Sequence, residues 1–186
     1  MHDSNYISYY SSLFGDFTIV WQLAGNYPQV WRIFLSNEKY CSEELARRYF
    51  SNFIIKSNPF VDDLGYKIQQ VIAGEYVTFN LEILAFERCG SFQQKVILAE
   101  SAVPRGRVTT YSRLARYLGV NHAARAVGSA LATNPFPIVI PCHRTVRADG
   151  SLGGYQGGQE MKRVLLTAEG VKIAENGKVV NPILIY

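Results

Sequence analysis

The stretch YSRLARYLGVNHAARAVGSALATNPFPIVIPCHR, residues 111 to 144, decides how this chain folds. Thr110 stands just before it as a helix cap, and Leu114, Ala115 and Leu118 follow at helical spacing. Gly119-Val120-Asn121 is a tight turn. His122 to Thr133 is an Ala-rich helix that Asn134-Pro135 must stop, because proline disfavours helix at the residue before it. Phe136 to Ile140 then reads as a short buried strand leading to Pro141-Cys142-His143-Arg144. Helix, glycine turn and helix make a candidate helix-turn-helix, a geometry that small helical bundles also use. The small residues Ala123, Ala124, Ala126, Gly128, Ser129 and Ala130 give the second helix a slim profile, and Arg125 is its only charge from His122 to Thr133.

Outward from this stretch the elements alternate in type. Ser91 is expected to cap a helix carrying Val96, Ile97, Ala99 and Ala102, which ends at Val103-Pro104-Arg105-Gly106. Downstream, Gly153 to Gly158 is a glycine-rich loop, Gln159 to Glu169 is a helix closed by Gly170, and Asn176-Gly177 marks a hairpin. Upstream, Phe17 to Leu23 and Val30 to Leu35 are apolar runs joined by Gly25-Asn26, the pattern of a hairpin. Helices are expected over Ser42 to Phe53, capped by Ser42, and over Asp62 to Gly74, with Tyr76 to Phe86 extended. The class is therefore α+β. An N-terminal α/β domain with a small antiparallel sheet (residues 1–87) precedes a mostly helical domain with a helix-turn-helix and an active-site strand (88–172). A β-hairpin tail (173–186) ends the chain.

With 186 residues, 48% of them hydrophobic, the chain can bury a core without metal or disulfide staples. No apolar run is long enough to cross a membrane, and Met1 to Asn5 does not start a signal peptide. The expected compartment is the cytosol or nucleoid. The net charge of +4 permits nucleic-acid binding, and its distribution says more. Eight Lys or Arg lie between Lys95 and Arg147, whereas residues 38 to 87 hold most of the carboxylates. Three cysteines, Cys41, Cys89 and Cys142, do not form a disulfide framework, and a Cys41–Cys89 bridge is disfavoured in a reducing compartment. The histidines His2, His122 and His143 complete no zinc pattern, so a structural metal is not expected.

A nucleophilic cysteine acts as its thiolate, which a neighbouring base or cation must favour. His143 follows Cys142 directly, but neighbours on an extended segment point to opposite sides. Contact between them needs a bend or a bridging water. On adjacency alone, a buried structural cysteine beside a solvated His-Arg pair is the favoured explanation of the run.

The Pro141-Cys142-His143-Arg144 run resembles the active-site signature of the O6-alkylguanine-DNA alkyltransferase family. The resemblance extends from Phe92 to Gly170. It includes Phe92-Gln93-Gln94-Lys95-Val96, Pro104 to Tyr111, Ala123 to Gly128, Asn134-Pro135, Gly154-Tyr155, Gly157-Gly158, and Leu165-Leu166 before Glu169-Gly170. It implies that Cys142 accepts an alkyl group from O6-alkylguanine, and also from O4-alkylthymine, in double-stranded DNA. The protein would act once, as a monomer, without a cofactor. His143 would be the base acting through a water, Glu169 its orienting partner, Asn134 a neighbour of the thiol, and Tyr111 a donor to guanine N3. DNA contacts would come from Arg125, which intrudes where the flipped base was, and from Thr110, Ser112, Ala124, Ala126, Gly128 and Arg144. Tyr155, Gln156, Gly157, Pro137 and Val139 would line the substrate pocket. The first domain would be ribonuclease H-like.

Two departures stand out. Ala132-Thr133 replaces a basic residue or glycine that many relatives carry before the asparagine, and Gln156 replaces a small residue, which puts tolerance of large alkyl groups in question. Cys142 excludes the damage-binding variants that carry Trp at that position. A regulatory DNA-binding protein with an inert Cys142 and a thiol-dependent hydrolase are the competing classes, and the helix-turn-helix argues against the hydrolase.

Overall fold

The computed structural model describes residues 4–180 and 185–186. The start of the chain at Met1–Asp3 and part of the expected tail, 181–184, lie outside the described residues. The chain forms two compact units, one from the chain up to Arg88 together with Pro135–Val139, the other from Cys89–Asn134 and Ile140–Tyr186.

The first unit is built on a sheet of order β3-β2-β1-β4, in which β1 (Tyr6–Tyr10), β2 (Phe17–Ala24) and β3 (Tyr27–Leu35) run antiparallel. Every residue from Phe17 to Trp21 is buried, so central β2 reads as a continuous apolar run rather than an alternating one. The ladder slips between Val20 and Trp21, which pair with Arg32 and Val30 and leave Trp31 as the extra residue of a bulge. Ile7, Val20, Phe34 and Ala46 form one cluster of the buried core.

Helix α1 covers Ser42–Tyr49 and is shorter than expected. Cys41 occupies the cap position without a side-chain bond, and the Ser42 hydroxyl is spent inside, 2.8 Å from Thr18 Oγ1. Past it, Ile54–Ile55 forms β4, a parallel edge strand on β1. Helix α2 (Pro59–Ile72) begins earlier than Asp62, because Asn58 accepts from the Phe60 N–H at 3.0 Å and Pro59 suits the first turn. Between Tyr76 and Phe86 the expected extended run reduces to one bridge, Leu84 to Val30, beside a 3₁₀ turn at Leu81–Ile83.

The run Phe136–Ile140 is buried but is not the expected strand. Ile138 takes a φ of 72°, which turns the chain, and Pro135 O accepts from the Ile33 N–H at 2.7 Å within the first unit. Apolarity reported burial here, but the backbone conformation was set elsewhere.

In the second unit α3 (Ser91–Ser101) starts from Gly90, so Ser91 is its first residue and not its cap. Helix α4 (Tyr111–Tyr117) is capped by Thr110, whose hydroxyl accepts from the Arg113 N–H at 3.2 Å. Helix α5 (Ala124–Ala132) begins two residues later than expected because His122 sits at φ 66°, outside helical geometry. Strand β5 (Thr109–Thr110) pairs in parallel with β6 (Thr145–Val146), fixing the chain just before α4 against the chain just after the cysteine run. Helix α6 (Gly158–Ala168) ends at Gly170, φ 87°. The Asn176-Gly177 turn forms, with the Ala174 N–H donating to Lys178 O at 2.8 Å, and Val179 joins the core of Val108, Val146, Leu152, Leu166 and Val171. The hairpin lies within the second compact unit. Among the described residues no helix is long and apolar enough to cross a membrane.

Candidate active site and nucleic-acid interface

Cys142 opens a 3₁₀ turn, Cys142–Arg144, that follows Pro141. This supplies the bend that an extended segment lacks. The thiol is 8% exposed, and the Asn134 amide donates to its sulfur at 3.3 Å and to Ile140 O at 3.4 Å. Asn134 stands two residues beyond α5, so the helix-turn-helix ends on the reactive atom. Burial pushes the Cys142 thiol up to about 11, against the opposing pull of the Asn134 bond. At neutral pH this sulfur rests as a thiol and needs a base to react.

His143 is fully buried, with Nε2 3.0 Å from Glu169 Oε1. Burial lowers its pKa from the ordinary value, more than Glu169 raises it, so the ring is neutral. A neutral ring facing a carboxylate through Nε2 carries its proton there, which leaves Nδ1 as the acceptor. Nδ1 is buried and has no protein partner. Glu169, at the C-cap of α6, also accepts from Arg144 Nε at 2.9 Å and Nη2 at 2.7 Å. Burial pushes its carboxyl up, but the bonds from His143 and Arg144 outweigh burial and hold it at about 2. Gly106 lets this corner close: at φ 72°, a Cβ there would stand 2.9 Å from Glu169 O. Arg144, expected at the DNA, is half-buried and also donates from Nη1 to Val103 O at 2.6 Å.

Tyr111 opens α4 and packs on Gly128 of α5, where a Cβ would lie 3.7 Å from its ring. Burial, then the nearby Cys142, raises its pKa, so its hydroxyl keeps its proton. Gly153, φ 73°, has no room for a side chain, since a Cβ would meet Tyr111 Oη at 2.9 Å. Tyr155 lies edge-on to His143, ring centroids 6.2 Å apart, and its buried hydroxyl has no protein partner. Gln156 is half-buried and Gly157 buried beside it. On α5, Arg125 and Ala126 are exposed, and Ala124 and Gly128 are half-exposed. Ser112 is exposed on α4, while Thr110 is buried and spends its hydroxyl on capping. Pro137 and Val139 are buried residues of the first unit.

Two charged residues escaped the sequence reading. Glu100 and Lys162 are fully buried, and both reach Thr145, Glu100 through its hydroxyl at 2.5 Å and Lys162 through its carbonyl at 2.7 Å. A signal existed: Glu100 falls three and four residues after Ile97 and Val96, and Lys162 sits the same spacing before Leu165 and Leu166. Among the described residues no group of His, Cys, Asp or Glu side chains is placed to hold a metal, and no disulfide forms.

The second unit is a helix-turn-helix module whose last helix runs into a buried thiol backed by a His–Glu–Arg cluster. A family model described as 6-O-methylguanine DNA methyltransferase, DNA binding domain, matches residues 91–171. The inducible methylated-DNA--protein-cysteine methyltransferase of Bacillus subtilis is 32% identical over 142 residues, covering 74% of this chain and 78% of that protein. A methylated-DNA--protein-cysteine methyltransferase of Methanothermobacter thermautotrophicus is 44% identical over 106 residues, or 57% of this chain. That match spans only 59% of the Methanothermobacter protein. The crystal structure of Mycobacterium tuberculosis OGT in complex with DNA is similar with a TM-score of 0.70 at 30% identity, covering 88% of this chain and 92% of that one. The chain belongs to the methylated-DNA--protein-cysteine methyltransferase family.

Proposed function

We propose that this chain repairs DNA by moving an alkyl group from guanine O6 in duplex DNA onto the sulfur of Cys142, once per molecule. The observation that carries the proposal is the buried Cys142 thiol, bonded by Asn134 and followed by a neutral His143 whose Nε2 is engaged by Glu169. Family membership supports the same reaction, and the DNA-bound M. tuberculosis relative supports the partner.

The chemistry follows from the protonation states. His143 Nδ1, through a water, takes the thiol proton, and Glu169 stabilises the imidazolium that forms. The sulfur lone pair forms a bond to the alkyl carbon as the bond from that carbon to O6 breaks. The electron pair passes into the guanine ring, and the proton returned by the imidazolium leaves an ordinary guanine. Tyr111, kept protonated by burial, donates a hydrogen bond to ring nitrogen N3 and makes guanine a better leaving group. The thioether has no route back, so the protein is consumed.

A base inside the stack is out of reach of a buried sulfur, so the damaged nucleotide must flip. The slim α5 enters the minor groove, and Arg125 fills the space the base leaves. The flipped base rests against Tyr155 and Gln156. O4-alkylthymine, which presents an alkylated oxygen on a similar edge, is a second substrate.

Intact-protein mass after incubation with duplex carrying one O6-methylguanine tests the proposal. One methyl per chain, mapped to Cys142 and absent in Cys142→Ser, is expected. Binding to the damaged duplex without any mass gain would overturn it in favour of a damage-binding protein.

A further inference from the structure

Behind Cys142 lies a polar cluster to which the proposed reaction assigns no role. Glu100 on α3 and Lys162 on α6 are both fully buried, and they grip the same residue from two sides. The Thr145 hydroxyl donates to Glu100 Oε2 at 2.5 Å, and Lys162 Nζ donates to Thr145 O at 2.7 Å. Thr145 follows the Cys142–Arg144 turn directly and pairs with Thr109 in the two-stranded ladder. The second carboxylate oxygen of Glu100 is buried without a protein partner. Burying an acid and an amine is costly unless each offsets the other. Both charges act on the Cys142 sulfur, Glu100 against the thiolate and Lys162 for it, beside the larger effect of burial.

We propose that Glu100 is a positioning residue for Cys142: its carboxylate, tethered by Thr145, offsets the Lys162 ammonium and adds to burial in holding the resting sulfur as a thiol. For a protein that spends its cysteine once, this shields the sulfur from stray electrophiles until substrate is bound. The inference rests on the reading of Cys142 as alkyl acceptor for its purpose, but not for its test.

The groups within electrostatic reach can be named. Glu100 is faced by Lys162 of α6, by Arg144 and Cys142 of the turn, by Tyr111 of α4 and by Tyr186. Lys162 is faced in addition by Arg147 and His143. Cys142 meets Tyr111 and Tyr155 as well. Glu100 favours the thiol and Lys162 favours the thiolate. Burial, opposed by Thr145 and Lys162, pushes the Glu100 carboxyl up to about 7. The brake is therefore engaged above neutral pH and released below it.

The test is the rate of Cys142 modification by iodoacetamide in the full chain, read at the Cys142 peptide by mass between pH 6 and pH 9. It needs no DNA, so its failure is distinguishable from failure of the repair reaction. Exposed Cys41 serves as internal reference. Glu100→Gln should react about threefold to tenfold faster than the natural protein at pH 8, a tenfold change being one pH unit in the thiol's ionisation. The advantage should shrink toward none at pH 6, where the natural Glu100 is already protonated. Thr145→Val removes the bond that favours the carboxylate and should move in the same direction as Glu100→Gln, which keeps the test open if Glu100→Gln does not fold. Equal rates at pH 8, or an advantage that is the same at pH 6 and pH 8, would overturn the proposal, because looser packing alone gives a pH-independent gain.

Discussion

Replacing Glu169 with Gln should destabilise the second unit by about 3 kcal/mol at pH 7, and the loss should vanish in acid. The Glu169 side chain is only 3% exposed and accepts from His143 at 3.0 Å and from Arg144 at 2.9 and 2.7 Å. Its carboxyl is held at about 2 against an ordinary value of 4.5. At about 1.4 kcal/mol per pH unit, that difference is about 3 kcal/mol of folding free energy, within the range for breaking a buried pair. The sign follows from the direction. A carboxyl depressed in the folded state stabilises above its unfolded value, and this contribution is lost as pH falls from about 4.5 toward about 2. His143, kept neutral by burial, opposes folding below its ordinary 6.5. Only the difference between the two proteins is therefore diagnostic. The probe also matters, since both tryptophans, Trp21 and Trp31, belong to the first unit. Native-state amide exchange of α3 and α6 reads the correct unit. A stability difference that stayed constant from pH 7 to pH 3 would refute the account of Glu169 as the buried counter-charge.

Arg125→Ala should slow repair of duplex DNA far more than reaction with free O6-benzylguanine, because only duplex requires extrusion of a base, and equal losses on both would show that Arg125 serves folding. Gly153→Ala should cost about 1–3 kcal/mol by thermal melting and reduce the transfer rate while leaving DNA affinity unchanged, since the new Cβ stands 2.9 Å from Tyr111 Oη at φ 73°. A fully active, equally stable variant would show that the loop yields freely there. The S-methylated protein should melt lower than the unmodified one, by about 1–3 kcal/mol in stability, because the methyl enters a packed site and weakens the Asn134 bond to sulfur. Calorimetry showing an equal or higher melting temperature would rule out that strain.

Much of the architecture was legible because it is local. Gly25-Asn26 and Asn176-Gly177 turn the chain where their backbone freedom suggests, and Thr110 caps α4 as a threonine before a helical pattern should. The candidate site was legible for another reason: Pro141-Cys142-His143-Arg144, Asn134 and Glu169 are residue types whose chemistry is narrow, in an order that a known family shares. Where a residue had two equally local uses, sequence reading failed. Ser42 and Ser91 look like caps, yet Ser42 turns inward to Thr18 and Ser91 stands inside its helix.

The sequence by itself determined most of the helices, the two hairpin turns and the identity of the cysteine that carries the proposal, since each depends on neighbours within a turn or a motif. Tertiary structure alone decided what depends on burial across long separations. It turned the apolar run Phe136–Ile140 into a bend at Ile138, and it joined Arg144 to Glu169, 25 residues away. It also closed Glu100 and Lys162 around Thr145 at separations of 45 and 17 residues. Charged side chains inside helices read as solvated faces in a linear sequence. Only the packing of α3 and α6 against the turn that holds Cys142 removes the water, and with it the reason to read Glu100 and Lys162 as surface charges.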